Sequence, residues 1–173
     1  MLSGNPASST DAGHEGTARR ARGESGGDRL TQDATPAQNE ALIRAYIAEV
    51  FNGHHLDGLA HYWAEAMTSH WMGQETLHGL SAWREGMVGF FGAFPDAAYT
   101  LDDLFCVADH GVWRGSWQAT QRGEWEGIAP SGNTVRWSVI IIGRFSEGKL
   151  VEDWVEYDRL GLYRQLGAIP LQG

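Results

Sequence analysis

The sequence predicts an α+β domain in which helices pack on one face of an antiparallel sheet. Segments with apolar residues at helical spacing come first, and segments rich in β-branched and aromatic residues follow, which is the order typical of α+β proteins. Turn sequences at residues 109–111, 130–133 and 147–148 separate the strand-like segments. The chain has 173 residues, which is enough for one domain with a substantial core.

The domain is predicted to begin after a polar tail. Residues 1–34 are rich in glycine, serine, threonine, alanine and charged residues, so they carry too little apolar area to offset the entropy lost on ordering. We therefore expect a disordered tail. Thr35 followed by Pro36 is a typical helix start, and residues 35–170 form the predicted domain.

Three helices and a strand are predicted in the first half of the domain. Apolar residues recur at helical spacing over residues 42–51, and the Asn-Gly pair at 52–53 ends this helix. Asp57 can cap a short second helix, which would carry Leu59, Tyr62 and Trp63. A strand is predicted near residues 67–72, and a third helix over residues 80–94.

The second half of the domain is predicted to be a sheet that ends in a short helix. The four strand-like segments are residues 99–107, 112–122, 134–145 and 150–157. A strongly curved sheet beneath the helices would enclose a cavity. The eight tryptophans of the chain would suit the lining of such a cavity, although core packing alone can also use them.

Charge and hydropathy argue against several classes of partner. The net charge of −9 argues against a nucleic-acid groove or an anionic membrane surface as a partner, because both require a positive patch. The longest apolar run, near residues 139–142, is too short to span a bilayer. No cationic segment followed by an apolar one opens the chain, so we expect a cytoplasmic protein.

Motifs for metals, nucleotides and activated nucleophiles are missing from the sequence. The single cysteine, Cys106, excludes an internal disulfide and a cysteine-based zinc site. The histidines show no ligand spacing with a plausible third ligand, and no glycine-rich phosphate loop or nucleophile elbow is present. We therefore expect neither a metal nor a cofactor.

Five motifs between residues 40 and 167 resemble the SnoaL-like polyketide cyclase family, also called SnoaL-like ester cyclases. They are the helix end at 51–57, His70 with the downstream Gly79, the Phe-Pro-Asp tripeptide at 94–96, the hairpin sequence at 123–132, and the terminal signature at 148–167. The resemblance implies the cone-shaped fold of nuclear transport factor two, in which N-terminal helices and a curved antiparallel sheet surround a pocket. It also implies a homodimer that pairs through the open sheet face.

Three positions depart from the pattern of this family. Gln121 and Ile141 stand where the family has histidines, and Val155 stands where the aldol cyclases of the family have an acid/base aspartate. The departures leave two interpretations open, namely a changed reaction or a lost one. The resemblance thus supports a small-molecule cavity more firmly than it supports an aldol cyclisation.

The acidic segment after residue 150 supplies the predicted catalytic acid. Alternation along a strand places one set of side chains on one face, Glu152, Trp154, Glu156 and Asp158, and a second set on the other, Asp153, Val155 and Tyr157. We predict Asp158 as the acid/base group, because a carboxyl in an apolar pocket has a raised pKa that suits proton abstraction next to a carbonyl. The alternative is that Asp158 caps the last helix. For Glu152, Asp153 and Glu156 we expect solvated charge.

A histidine and a set of aromatic residues complete the predicted site. His70 could orient a substrate carbonyl, or it could be a hydrogen-bonded structural histidine. Trp113 and Trp117 lie four apart on one strand face, where a flat ligand could stack and where Gln121 could donate a hydrogen bond. The full predicted substrate-binding set is Tyr46, Trp71, Trp113, Trp117, Gln121, Trp125, Trp137 and Trp154, of which ordinary core packing is expected to claim most.

The favoured function is a cofactor-independent cyclase or isomerase that acts on a carbonyl-rich, polyketide-like molecule. Asp158 would be its acid/base group and His70 would assist. A second hypothesis keeps the fold but changes the reaction to hydration, dehydration or hydroxylation. A third is a binding domain that has kept the cavity and lost the chemistry.

Overall fold

A computed structural model describes residues 34–170. Helix α1 (Pro36–Tyr46) continues as a π-helical segment (Ile47–Asn52); a 3₁₀ turn (Leu56–Gly58) precedes α2 (Leu59–Tyr62), and α3 (Leu80–Ala93) and α4 (Arg159–Gln165) follow. The strands are β1 (Trp63–Trp71), β2 (Leu77–His78), β3 (Ala98–Val107), β4 (His110–Thr120), β5 (Thr134–Ser146) and β6 (Lys149–Tyr157). Apart from Ala34, the predicted tail lies outside the described residues.

The six strands form one sheet in the order β2-β1-β6-β5-β4-β3. The predicted α+β architecture is confirmed, with one difference in strand direction. Strand β1 runs parallel to β6, whereas every other neighbouring pair is antiparallel. The short β2 was not predicted, because two residues are too few to show an alternating pattern. Between residues 34 and 170, no helix is both long and apolar enough to cross a membrane.

Helix α1 begins at the predicted cap and ends in a π-helical turn. The Thr35 hydroxyl accepts from the Gln38 backbone N–H at 3.3 Å, and the Gln38 side chain accepts from the Thr35 N–H at 2.8 Å, which is a capping box. A π-helical turn aligns residues five apart. Tyr46 and Phe51 are thereby brought together, with ring centroids 4.8 Å apart.

The predicted capping role of Asp57 is wrong. Within the described part of the chain, no side-chain hydrogen bond caps the 3₁₀ turn or α2, and Asp57 instead pairs with Arg84 at 2.9 Å. Trp63 begins strand β1 rather than extending the short helix, because its backbone has already turned to extended geometry. The strand predicted near residues 67–72 therefore starts four residues earlier than expected.

The inner face of the sheet carries the core. Strand β5 alternates regularly, so that Val135, Trp137, Val139 and Ile141 are buried while their neighbours in sequence face outward. Gly143 continues the inner row, and a Cβ built there would lie 2.9 Å from the Trp113 ring. The missing side chain thus makes room for Trp113 in the core.

Candidate active site

Residues from helices α1 and α3 and from strands β1, β4, β5 and β6 line a cavity of about 140 Å³. Its walls are mainly aromatic: Trp117 and Trp137 stack at a centroid distance of 6.4 Å, and Phe90 meets Trp117 edge-on at 5.0 Å. A dry cavity of about 150 Å³ holds benzene. The interior of the cavity therefore accommodates about one aromatic ring, and the cavity is partly open, so that a larger ligand can extend outward.

Asp153 is the acidic group inside this apolar space. Its side chain belongs to β6, lines the cavity, and leaves the residue only 3% exposed. Its cross-strand neighbours are small, Gly143 on β5 and Ser69 on β1. Among residues 34–170, the Oδ1 atom of Asp153 has no hydrogen-bond partner. Because an unpartnered buried carboxyl oxygen is costly, this atom is available to a ligand.

The surroundings of Asp153 bring its pKa close to neutrality. Burial raises the pKa of this carboxyl to about 7, and the charge of Glu152 adds a small effect in the same direction. The Ser69 hydroxyl and His70 act in the opposite direction but do not cancel the loss of solvation. A carboxyl with this pKa can accept and return a proton near neutral pH.

Tyr46 provides a hydrogen-bond donor in the same cavity. Burial raises the pKa of its phenol well above the ordinary value, so the hydroxyl stays protonated. The Trp63 indole acts in the opposite direction on this pKa but does not cancel the effect of burial. In the part of the chain that the structure describes, the Tyr46 hydroxyl has no hydrogen-bond acceptor, and the indole Nε1 of the cavity residues Trp83 and Trp125 has no partner. Three unpaired donors and one unpaired acid in an apolar cavity form a set that a carbonyl compound would satisfy.

Five of the predicted binding residues are brought together by the fold. Tyr46, Trp71, Trp117, Trp125 and Trp137 all line the cavity. Ordinary core packing was expected to claim most of the aromatic set, yet most of it lines the cavity. The fold therefore brings these five residues, which are distant in sequence, together in one aromatic pocket.

Asp158 does not reach the cavity. It is exposed at the start of α4, where its Oδ1 accepts a hydrogen bond from the Gly161 N–H at 2.8 Å. The alternative prediction, that Asp158 caps the last helix, is confirmed. The strand ends at Tyr157, so the alternation that was extended to Asp158 no longer applies to it.

His70 and Trp154 lie on the opposite face of the sheet. His70 stacks on Trp154 with ring planes 10° apart, and its Nε2 lies 2.9 Å from Glu152 Oε1. Arg144 donates to the other oxygen of Glu152 at 2.8 Å. Hydrogen bonds from His70 and Arg144 lower the pKa of Glu152. The cavity side of β1 is instead occupied by Ser69 and Trp71, so the geometry gives His70 a structural role.

Two further predicted residues serve the scaffold. Trp113 is buried over Gly143 and is absent from the cavity wall. Gln121 lies beyond the end of β4 and is fully buried; its Nε2 donates to the Ile128 carbonyl at 3.0 Å and its Oε1 accepts from the Ser131 N–H at 2.9 Å. Because both ends of the amide are satisfied, Gln121 has little left to offer a ligand.

The expectation that Asp153 carries solvated charge is wrong. Alternation correctly grouped Asp153 with Val155 and Tyr157, and all three line the cavity. The apolar Val155 on that face is only a weak sequence signal of burial, because the opposite face also carries a large apolar residue, Trp154. Val155 stands at the position where the family acid was expected, and it also lines the cavity. It follows Asp153 by two residues on the same strand, which is a distance of about 7 Å.

No group of three or more His, Cys, Asp or Glu side chains within residues 34–170 is arranged to hold a metal ion.

Two exposed glycines of α3 allow a test of the cavity wall. Gly86 lines the cavity and Gly89 does not, and a Cβ would meet nothing within 4 Å at either position. We expect Gly86→Ala and Gly89→Ala each to raise the free energy of unfolding by about 0.5–1 kcal/mol, because alanine favours helix. Only Gly86→Ala should weaken binding of a bicyclic ketone, measured by calorimetry. Equal affinity in both variants would show that the ligand does not contact the cavity wall at Gly86.

Comparisons with known proteins identify the family and the fold of the chain. The family model for SnoaL-like polyketide cyclases matches residues 41–166, so the chain belongs to that family. A search of curated proteins found no match.

Solved structures share the fold over most of the chain. AclR from Streptomyces galilaeus, a proposed hydroxylase, is 26% identical with a TM-score of 0.71, covering 79% of this chain and 100% of its own. TsrD from Streptomyces laurentii is 26% identical with a TM-score of 0.71, covering 79% of this chain and 99% of its own. A proposed SnoaL-like polyketide cyclase from Jannaschia sp. CCS1, 18% identical with a TM-score of 0.73, covers 80% of this chain and 99% of its own, and shows the fold alone.

Proposed function

We propose that the protein catalyses proton transfer next to a carbonyl group, leading to cyclisation or isomerisation of a polyketide-like molecule without a cofactor. The observation that carries the proposal is Asp153, a buried carboxyl with an unpaired oxygen in an aromatic cavity. Asp153 takes the acid/base role that the sequence suggested for Asp158. Membership of the SnoaL-like polyketide cyclase family supports this class of reaction.

The reaction begins with the ionised form of Asp153. Its carboxylate accepts a proton from the carbon next to a substrate carbonyl, and the Tyr46 hydroxyl donates a hydrogen bond to the enolate oxygen that develops. The enolate carbon then attacks a second carbonyl of the same molecule, which forms the new carbon–carbon bond. The protonated Asp153 returns its proton to the resulting alkoxide, so the enzyme ends in its starting state. In an isomerisation, the proton returns to another carbon of the enolate instead.

The aromatic walls support this chemistry because they position the substrate and exclude water. Trp117 and Trp137 lie nearly parallel to each other in the cavity wall, where an aromatic ring of the substrate can pack against them. Such packing limits the orientations in which the acidic carbon of the substrate approaches Asp153. An apolar cavity also strengthens the hydrogen bond from Tyr46 to a developing oxyanion, because the local dielectric constant is low.

A minimal assay tests the proposed proton abstraction without the natural substrate. The protein is incubated with 2-tetralone in D₂O, and loss of the proton signal next to the carbonyl is followed by NMR. We expect exchange above the buffer rate, with a rate that rises as the pH passes about 7, because the base must be ionised. Exchange at the buffer rate across a panel of cyclic ketones and diketones would contradict the proposal.

Hydroxylation is the second candidate, because AclR, a proposed hydroxylase, shares 26% identity over its full length. Mass spectrometry of the product separates the candidates. Cyclisation and isomerisation conserve mass, hydration or dehydration changes it by one water, and hydroxylation adds one oxygen.

We also propose a homodimer that forms through the outer face of the sheet. A cross-strand row of apolar side chains crosses this face: Phe105 pairs with Val112, Val112 with Ile142, and Ile142 with Trp154. Phe105 is 56% exposed and Ile142 is 40% exposed. A contiguous exposed apolar row is typical of an interaction surface.

Ile142→Arg tests the proposed dimer. We expect the wild-type protein to show twice the chain mass by light scattering, and Ile142→Arg to show the chain mass, because an arginine would be desolvated at the interface. The matched control is Val88→Arg on α3, which changes an equally apolar residue that is 49% exposed outside the sheet face. A monomeric wild-type protein, or a monomer produced by both variants, would contradict this interface.

A further inference from the structure

A hairpin at residues 123–128 covers part of the cavity. Trp125 and Ile128 exchange backbone hydrogen bonds at 3.1 and 2.8 Å. The Trp125 indole lines the cavity and packs edge-on against Phe90 and Phe94, with centroid distances of 5.5 and 5.7 Å. The hairpin therefore contributes one wall of the site.

The base of this hairpin is anchored to the end of α3. The backbone N–H groups of Arg122 and Gly123 donate to the Ala93 carbonyl at 2.7 and 3.1 Å. A Cβ on Gly123 would lie 2.8 Å from the Gly92 carbonyl oxygen, so the two backbones are in close contact. Gln121 adds two hydrogen bonds across the base. The base thus has several backbone anchors, whereas the tip must be held by other groups.

The tip has a backbone conformation that its sequence does not favour. Glu126 and Gly127 have φ angles of 49° and 77°, as in a type I′ turn, in which Asn-Gly is the preferred pair. A glutamate at the first central position is sterically disfavoured. Glu147 has the same backbone conformation, so the contacts of the Glu126 side chain, and not its φ angle, are what indicate a role.

The Glu126 carboxylate ties the tip to two other segments. Oε2 accepts from Arg159 at 3.0 Å and from the Tyr163 hydroxyl, both on α4, and Oε1 accepts from the Gln74 amide at 2.9 Å. Gln74, in the turn between β1 and β2, also donates to the Tyr157 hydroxyl at 3.2 Å. The Glu126 side chain is only 20% exposed.

We propose that Glu126 is the latch of the cavity and limits the rate at which an aromatic ligand enters and leaves. Three cavity-lining residues, Gln74, Glu126 and Tyr157, are joined by the hydrogen bonds just described. A ligand that passes between the hairpin tip and β6 must first break them. The inference rests on the proposed function in one respect, which is that this cavity is the ligand site.

The chain contains a matched control for this latch. Glu147 and Gly148 form a second Glu-Gly turn, with φ angles of 52° and 73°. Glu147 is exposed, and its side chain makes no hydrogen bond or ion pair within residues 34–170. Because asparagine suits both turns, Glu126→Asn and Glu147→Asn change the backbone preference alike. Only Glu126→Asn removes a carboxylate with partners across the cavity mouth.

The test is stopped-flow binding of 2-naphthol, followed through quenching of tryptophan emission. We expect Glu126→Asn to raise both the association and the dissociation rate about tenfold, because several partly exposed charge-assisted hydrogen bonds hold the closed state. Glu147→Asn should stay within about twofold of wild type. Tyr163→Phe, which removes one partner of the latch, should give a smaller increase in both rates. This variant serves as the test if Glu126→Asn does not fold.

Two kinetic results would overturn the latch. One is wild-type rates in Glu126→Asn and Tyr163→Phe, and the other is an equal increase in Glu147→Asn. The probe is assigned to the cavity by Gly86→Phe, which fills open space at an exposed position of the cavity wall and should abolish binding. Binding that survives Gly86→Phe would also contradict the proposal. The hydrogen-exchange assay with 2-tetralone tests Asp153 separately, so failure of the latch and failure of the proposed reaction give different results.

Discussion

Replacing Asp153 with asparagine is expected to slow proton exchange of 2-tetralone about 10²–10⁴-fold, because the amide cannot accept the proton. The side chains have nearly the same shape, and the cavity around Asp153 leaves its Oδ1 unpaired, so the variant should fold. The measurement is the exchange rate by NMR in D₂O, with circular dichroism to confirm folding. Wild-type exchange in a folded Asp153→Asn protein would exclude Asp153 as the base.

Asp158→Asn is the matched control for this experiment. Asparagine is as good an N-cap as aspartate, so the hydrogen bond to the Gly161 N–H and the start of α4 should survive. We expect exchange at the wild-type rate, because Asp158 is exposed and outside the cavity. Loss of exchange in Asp158→Asn with retention in Asp153→Asn would instead support the base that the sequence first suggested.

The sequence predicted the elements well because their signals are local. The Thr35-Pro36 start, the alternation of β5 and the turn at residues 147–148 each depend on a few neighbouring residues, and each is present in the structure. The short 3₁₀ turn before α2 was not predicted, because the contacts around it are not local in sequence. Asp57 has a strong intrinsic preference for a cap, but its ion pair with Arg84, 27 positions away, is a tertiary contact.

The catalytic acid could be predicted only as one of several candidates. Alternation divided the β6 acids between two faces, yet each face carried an acid and an aromatic residue, so the pattern did not reveal which face is inward. That choice depends on the packing of α1 and α3 against the sheet. It also depends on a bulge near Leu150. Leu150 and Asp153 are three residues apart, so a regular strand would place them on opposite faces, yet both are buried. The partners that make Asp153 distinctive, Tyr46 and Ser69, lie far away in sequence.

Stability should show a pH dependence that reports the burial of Asp153. Its carboxyl has a pKa of about 7 in the folded protein, chiefly because burial disfavours the charge, compared with about 3.9 in an unfolded chain. Between these values the folded state holds a proton that the unfolded state has released. Raising the pH through this window therefore lowers the free energy of unfolding, by up to about 4 kcal/mol in total. Below about pH 4 both states are protonated, and this contribution to stability is fully present.

The measurement compares urea unfolding of wild type and Asp153→Asn at several pH values from 4 to 8. We expect the stability of wild type relative to the variant to fall steadily up to about pH 7 and then to level off. Glu152, His70 and Tyr46, which interact with Asp153, are present in both proteins, so their effects on stability largely cancel in the difference. A pH-independent difference between wild type and Asp153→Asn would mean that the carboxyl is solvated in the folded protein, and the proposed base would then lose its physical support.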